Sequence, residues 1–233
     1  MVRFFSKEFR SIWNEDKGLT TIFIVLCISN FLIIPFFEQL PVISLLIKIV
    51  WLILLITGIT TLSKNRLQVR NLTIIPVLLV TVNILQLVFN NQIISYIEFA
   101  VRTSVTALLI VMVLIKVFES GPVSFHKVIG SIVAYMLIGN LWADTYEFIY
   151  INVPGSFQFP AVDTQAGVAA SSFLYLSFTT LTTTGFGDIL PTIALTRTVV
   201  IIEQLIGVLY PVVLIGRIVS LVTADTAKPP EKE

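Results

Sequence analysis

Long apolar runs separated by short polar or charged breaks dominate the chain. Leu19–Phe37 carries no charge and is bounded by Lys17 and Glu38. Pro41–Leu62 holds a single charge, Lys48, and Leu72–Phe89 is charge-free up to the polar triplet Asn90, Asn91 and Gln92. Ile93–Val117 follows, with Glu98, Arg102 and Lys116 inside it or at its end. Phe125 to about Tyr146 and Thr198 to about Val222 complete the set. A hydrocarbon core of roughly 30 Å takes about 20 apolar residues per helix, so the pattern predicts six membrane-spanning helices. A seventh run, Ala169–Leu181, is apolar but too short to cross.

Lysine and arginine set the orientation. With the N-terminus in the cytoplasm, twelve of the fifteen fall on inner segments, Lys48 and Arg102 lie within spans, and Arg197 alone falls outside. Both termini are therefore expected inside. Glu8, Glu15 and Asp16 interrupt the basic N-terminal region, which does not read as a cleaved signal peptide. The polar, proline-containing end after Val222 reads as a disordered cytoplasmic tail.

Composition narrows the class further. Of the 233 residues, 56% are hydrophobic and only 12% charged, against about 25% charged in a soluble chain. Fifteen basic and 14 acidic residues leave a formal charge of +1, so nucleic-acid binding has no electrostatic footprint. One cysteine, Cys27, excludes an intrachain disulfide, and one histidine, His126, excludes a multi-histidine metal site within a chain. Cys27 reads as a small hydrophobe, and His126 as a pH sensor or a polar helix start. The motifs of intramembrane or soluble hydrolases, Gly-x-Ser-x-Gly and His-Glu-x-x-His, are absent, so no enzyme is expected.

The chemistry sits in Ser171–Pro191, SSFLYLSFTTLTTTGFGDILP. It reads as a short helix entering the membrane, followed by Thr182, Thr183, Thr184, Gly185, Phe186, Gly187 and Asp188. Non-helical backbone at membrane depth is tolerated where it is buried in protein or lines a water-filled path. Consecutive carbonyls turn to one side only when alternate residues adopt unusual φ, which glycine does without a Cβ penalty. Gly185 and Gly187 meet that demand. A ring of such strands replaces the hydration shell of a cation, and the helix aims its partially negative C-terminus at the same place.

Thr-Thr-Thr-Gly-Phe-Gly-Asp resembles the Thr-Val-Gly-Tyr-Gly-Asp selectivity filter of tetrameric potassium channels, and the resemblance spans Phe125 to Val222. It departs at Thr184, where valine or isoleucine is usual, and at Phe186, where tyrosine is commoner. The resemblance implies an all-α integral membrane protein: six transmembrane helices, a re-entrant pore helix and filter loop, and a homotetramer about a central axis. Residues 1–18 form a cytoplasmic segment, 19–118 a peripheral four-helix domain, 125–222 the pore domain and 223–233 the tail. Thr183, Thr184, Gly185, Phe186 and Gly187 make the filter, with the Thr183 hydroxyl as an innermost ligand and permeant K+ as the only ion. Thr182 and Asp188 support it, and Tyr175 stands where the family places a donor to the aspartate, or is an ordinary interfacial aromatic.

On the inner helix, Gly207 reads as a hinge or as a close helix contact, Pro211 as a kink, and Gly216 as a second flexible point. Ile215 and Val219, four apart, form an apolar gate or face lipid. Glu98 and Arg102, also four apart on a helix, can pair with each other. Lys48 and Glu203 have no local partner and are candidates for contacts between spans; Lys48 alternatively snorkels to an interface. Arg102 stands alone until Lys116, which argues against a charged voltage sensor. Asp144, Glu147 and Asp163 give the outer linker a negative vestibule or a plain solvated loop. The function implied is passive, potassium-selective conduction in the cell membrane, surrounded by lipid. A weakly selective cation channel of the same fold and a non-conducting membrane subunit are the alternatives.

Overall fold

The computed structural model describes residues 17–37, 81–82, 85, 91–119, 124–160 and 170–226. The second predicted span, with Lys48, lies outside them, as do all but three positions of the third. The chain is mostly helical. Helix α1 (Lys17–Ile28) widens into a π-helical turn at Ser29–Ile33 and continues as α2 (Ile34–Phe37). Pro35 lies two residues past the end of that turn, and its missing N–H breaks the regular ladder there. Helix α3 is Gln92–Phe118 and α4 is Phe125–Asn152. A short helix, α5 (Ala170–Leu181), and a long one, α6 (Ala194–Thr226), complete the order. Among the described residues, four helical stretches are long and apolar enough to cross a membrane: 19–36, 92–118, 125–152 and 194–220.

Polar residues at the breaks start the helices. The Asn91 side chain accepts the Ile93 N–H at 3.1 Å, and Ser124 accepts the Lys127 N–H at 3.4 Å, each satisfying a donor that the first helical turn leaves open. Helix α4 is the centre, packed against α1, α3 and α5. Its buried Val133, Ala134 and Leu137 meet Leu26 of α1 and Val113 of α3 in one apolar core. Lipid is as apolar as these side chains, so association rests on close packing of small residues more than on the hydrophobic effect. Gly139 illustrates it: a Cβ there would lie 3.0 Å from the Phe178 ring of α5.

An aromatic cluster closes the end of the bundle where α4 stops. Tyr146 and Tyr150 of α4 pack with Phe157, Phe159 and Phe173. A two-residue strand, β1 (Phe157–Gln158), pairs antiparallel with β2 (Leu190–Pro191), Phe157 opposite Pro191. The Ser156 carbonyl accepts from the Thr192 N–H at 3.1 Å and the Thr196 hydroxyl at 3.0 Å. The start of α6 is thereby tied to the end of α4.

Three expectations change. Helix α4 runs to Asn152 rather than about Tyr146, so Asp144 and Glu147 belong to a helix and not to an outer linker. Arg102 does not pair with Glu98: its Nε lies 3.2 Å from Asp144 Oδ2 and its Nη2 3.4 Å from Glu147 Oε2. Antiparallel packing of α3 on α4 delivers two carboxylates that no local spacing announces, and they are not free charges of a vestibule. Finally, α6 continues to Thr226, so the first residues of the expected disordered tail are helical.

Candidate functional site

Helix α5 ends at Leu181, and Thr182–Asp188 has no regular structure. The amides of this segment turn back onto the helix they leave. Thr182 N–H donates to Phe178 O at 3.0 Å, Thr183 to Thr180 O at 2.9 Å, and Thr184 and Gly185 both to Thr179 O at 2.8 and 3.1 Å. The Tyr135 hydroxyl of α4 takes the Leu181 carbonyl at 3.0 Å. These bonds satisfy carbonyls that a helix end otherwise leaves open. They also use up the amides of Thr182–Gly185, while the carbonyls of Thr182–Gly187 accept no hydrogen bond from any described residue.

The backbone alternates. Thr183, Gly185 and Gly187 have φ of +59°, +50° and +75°, with Thr184 and Phe186 between them on the ordinary side. Glycine enters this region freely; a threonine does so at roughly 1–2 kcal/mol. Thr183 is the sole non-glycine residue with positive φ among those described. Sequence reading located the two glycines but not this third member, because nothing about a threonine signals it.

Side chains brace the segment at both ends. Tyr175 Oη donates to Asp188 Oδ2 at 2.7 Å, Ile189 N–H donates to Asp188 Oδ1 at 3.1 Å, and the Tyr175 ring stacks on Phe186 with centroids 6.2 Å apart. At the other end, Thr182 Oγ1 donates to Phe178 O at 2.7 Å and lies 2.9 Å from Thr184 Oγ1.

Behind the segment, Glu203 of α6 is wholly buried. Tyr146 of α4 donates to its Oε2, and Ser177 of α5 lies 2.6 Å from its Oε1. Three helices meet at this carboxyl. The sequence marked Glu203 as lacking a local partner; its partners stand 57 and 26 residues away. One turn along α6, a Cβ on Gly207 would overlap the Leu181 carbonyl. Close packing is thus the contact the structure gives Gly207. The helix continues through Pro211, which has no N–H for the Gly207 carbonyl. Beyond it, Ile215 and Val219 are exposed in a single chain and Gly216 has open space around it. Glu98 and Arg102 lie apart from this assembly, on α3.

Residues 128–224 match the family model described as ion channel. That stretch runs from the first turn of α4 through α5, the Thr182–Asp188 segment and nearly all of α6. No curated protein and no solved structure matches the chain. Over the matched residues the chain is similar to ion channels, a family of passive conductors in membranes and not of enzymes.

Proposed function

We propose that the protein is a potassium-selective channel of the cell membrane, built as a homotetramer and not conventionally voltage-gated. One observation carries the reading: alternating positive φ at Thr183, Gly185 and Gly187, in a segment whose first four amides, Thr182–Gly185, are spent on α5 and whose Thr182–Gly187 carbonyls accept no hydrogen bond from the described residues. Such oxygens are ready to replace water around a monovalent cation. In this reading α5 is a re-entrant pore helix. Thr183, Thr184, Gly185 and Phe186 coordinate K+ through their carbonyls, Thr183 adds its hydroxyl, and Gly187 and Asp188 close the outer mouth. A single strand cannot surround an ion, and Thr182–Asp188 is exposed along one side of the chain. Four copies about an axis supply the ring.

Six spans with both termini inside, a peripheral domain at 19–118 and a gate below Gly207 belong to the same proposal. Lone Arg102, committed to Asp144 and Glu147, supports the absence of a conventional sensor, which needs several gating charges. The test is a bi-ionic flux measurement on liposomes holding the purified protein alone. Potassium flux with strong discrimination against sodium is expected, and Gly185→Ala abolishes it. A potassium-to-sodium permeability ratio near unity leaves a weakly selective cation channel, the reading favoured by Thr184 and Phe186. No flux under any ion leaves a non-conducting subunit.

A further inference from the structure

Glu203 combines complete burial with an unusual set of neighbours. From α4 it is faced by the Tyr146 phenol and, within electrostatic range, by the Tyr135 phenol, whose hydroxyl is committed to Leu181 O. From α5 it meets Ser177. No lysine, arginine or histidine among the described residues forms an ion pair or a hydrogen bond with it. The apolar surroundings make an uncompensated charge strongly unfavourable.

Counting hydrogens gives the same answer independently. Ser177 owns one hydroxyl hydrogen but has two oxygens within reach, Gly139 O at 2.7 Å and Glu203 Oε1 at 2.6 Å. Both contacts are full two-centre hydrogen bonds at once when Glu203 carries a proton on Oε1; an ionised carboxylate leaves Ser177 to share its single hydrogen between two acceptors. The relay then runs from Tyr146 Oη–H to Glu203 Oε2, from Glu203 Oε1–H to Ser177 Oγ, and from Ser177 Oγ–H to Gly139 O. Every hydrogen is used once.

The relay is in register with a second contact. Ser177 and Leu181 are one turn apart on α5, and Glu203 and Gly207 are one turn apart on α6. The carboxyl and the glycine therefore fix α5 on α6 at two successive turns, the lower one at the residue from which Thr182–Asp188 departs. We propose that Glu203 is a positioning residue for the ion pathway: as the neutral acid it holds α5 through Ser177, and its deprotonation at alkaline pH releases the segment and stops conduction. This rests on the conduction reading above.

The test uses the full chain in liposomes, with potassium flux followed from neutral to alkaline pH and infrared spectra of the same samples. The wild type is expected to conduct at neutral pH and to lose flux by at least about tenfold per pH unit beyond the midpoint, more steeply where several of the four copies must stay protonated. Glu203→Gln keeps one donor toward Ser177 and one acceptor for Tyr146, so it conducts within about twofold of wild type and without the alkaline loss. Glu203→Leu assembles but conducts poorly. A protonated-carboxyl stretch present at neutral pH disappears in Glu203→Gln. An alkaline loss unchanged in Glu203→Gln, a folded but silent Glu203→Gln, or no such stretch in the wild type overturns the proposal alone. Wild-type protein silent at every pH overturns the conduction reading and this proposal with it.

Discussion

The Leu181 carbonyl of α5 occupies the space that a side chain at position 207 of α6 would need. A Cβ built on Gly207 overlaps that carbonyl, and its next nearest neighbours are the Leu181 carbonyl carbon and Cα, at 2.8 and 3.0 Å. Backbone cannot swing aside as a side-chain tip can. Gly207 therefore lets two helices meet immediately before the Thr182–Asp188 segment, whatever bending it also permits.

Gly207→Ala should separate α5 from α6 at a cost of about 1–3 kcal/mol, the range for overpacking. Potassium flux is expected to fall by at least about tenfold, since about 1.4 kcal/mol is a factor of ten. Gly216→Ala is the control, because nothing lies within 4 Å of its added Cβ, and it should behave as wild type. Flux in liposomes, normalised to assembled protein, compares the two. Equal activity would refute the packing argument.

Arg102 gives a prediction about stability. It is held by Asp144 and Glu147, with side chains between buried and half-exposed. Removing one partner of a buried ion pair costs about 3–5 kcal/mol, and partial exposure puts Arg102→Gln near the lower figure. The triple variant Arg102→Gln, Asp144→Asn, Glu147→Gln leaves no orphaned charge and should recover most of the loss. Glu98→Gln removes a charge within electrostatic range of Arg102 that forms no ion pair with it, so it should cost less than Arg102→Gln. Thermal melting in detergent ranks the four proteins, and a Glu98 variant as unstable as the Arg102 variant would restore the local i, i+4 pairing.

What the sequence disclosed follows from the range of each interaction. Helix α5 and the glycine pair were legible because their causes are local: an uninterrupted apolar run, and two residues that enter positive φ freely. Thr183 was not, because its φ is imposed by the amide bonds around it and by no property of threonine. Arg102 looked four residues away and found its partners 42 and 45 residues on, where the antiparallel fold of α3 on α4 places them. Glu203 announced a partner by being charged within an apolar run, but not its identity. The β1–β2 pair, two residues long on each side, left no alternation to read.

Tyr175 and Asp188 brace the Asp188 end of the Thr182–Asp188 segment. Tyr175→Phe removes the 2.7 Å hydrogen bond to Asp188 and keeps the ring that stacks on Phe186. A hydrogen bond to a charged group contributes about 1.5–3 kcal/mol, and exposure at this site favours the lower end. The variant should assemble normally, start with wild-type flux and decay faster as the segment loses its shape. Time courses of single-channel or liposome currents read that decay. A time course indistinguishable from wild type would leave Tyr175 an interfacial aromatic.

The brace at the Thr182 end explains how the segment does without two residues usual in the filters it resembles. Phe186 offers no phenolic hydroxyl, and its ring is largely exposed in the single chain. Thr184 in place of an aliphatic residue supplies a hydroxyl 2.9 Å from Thr182 Oγ1, which in turn donates to the Phe178 carbonyl at 2.7 Å. The chain of hydroxyls ties the segment to the last turn of α5 from below. Thr184→Val keeps shape and backbone carbonyl but cuts that tie, a loss of about 0.5–1.5 kcal/mol. Thr184→Val should therefore conduct with a lower potassium-to-sodium permeability ratio and a shorter-lived current, and Thr184→Ser should restore both. Reversal potentials under bi-ionic conditions measure the first quantity and current lifetime the second. Were Thr184→Val to match wild type in both, the hydroxyl would be incidental and Thr184 no more than an isostere of valine.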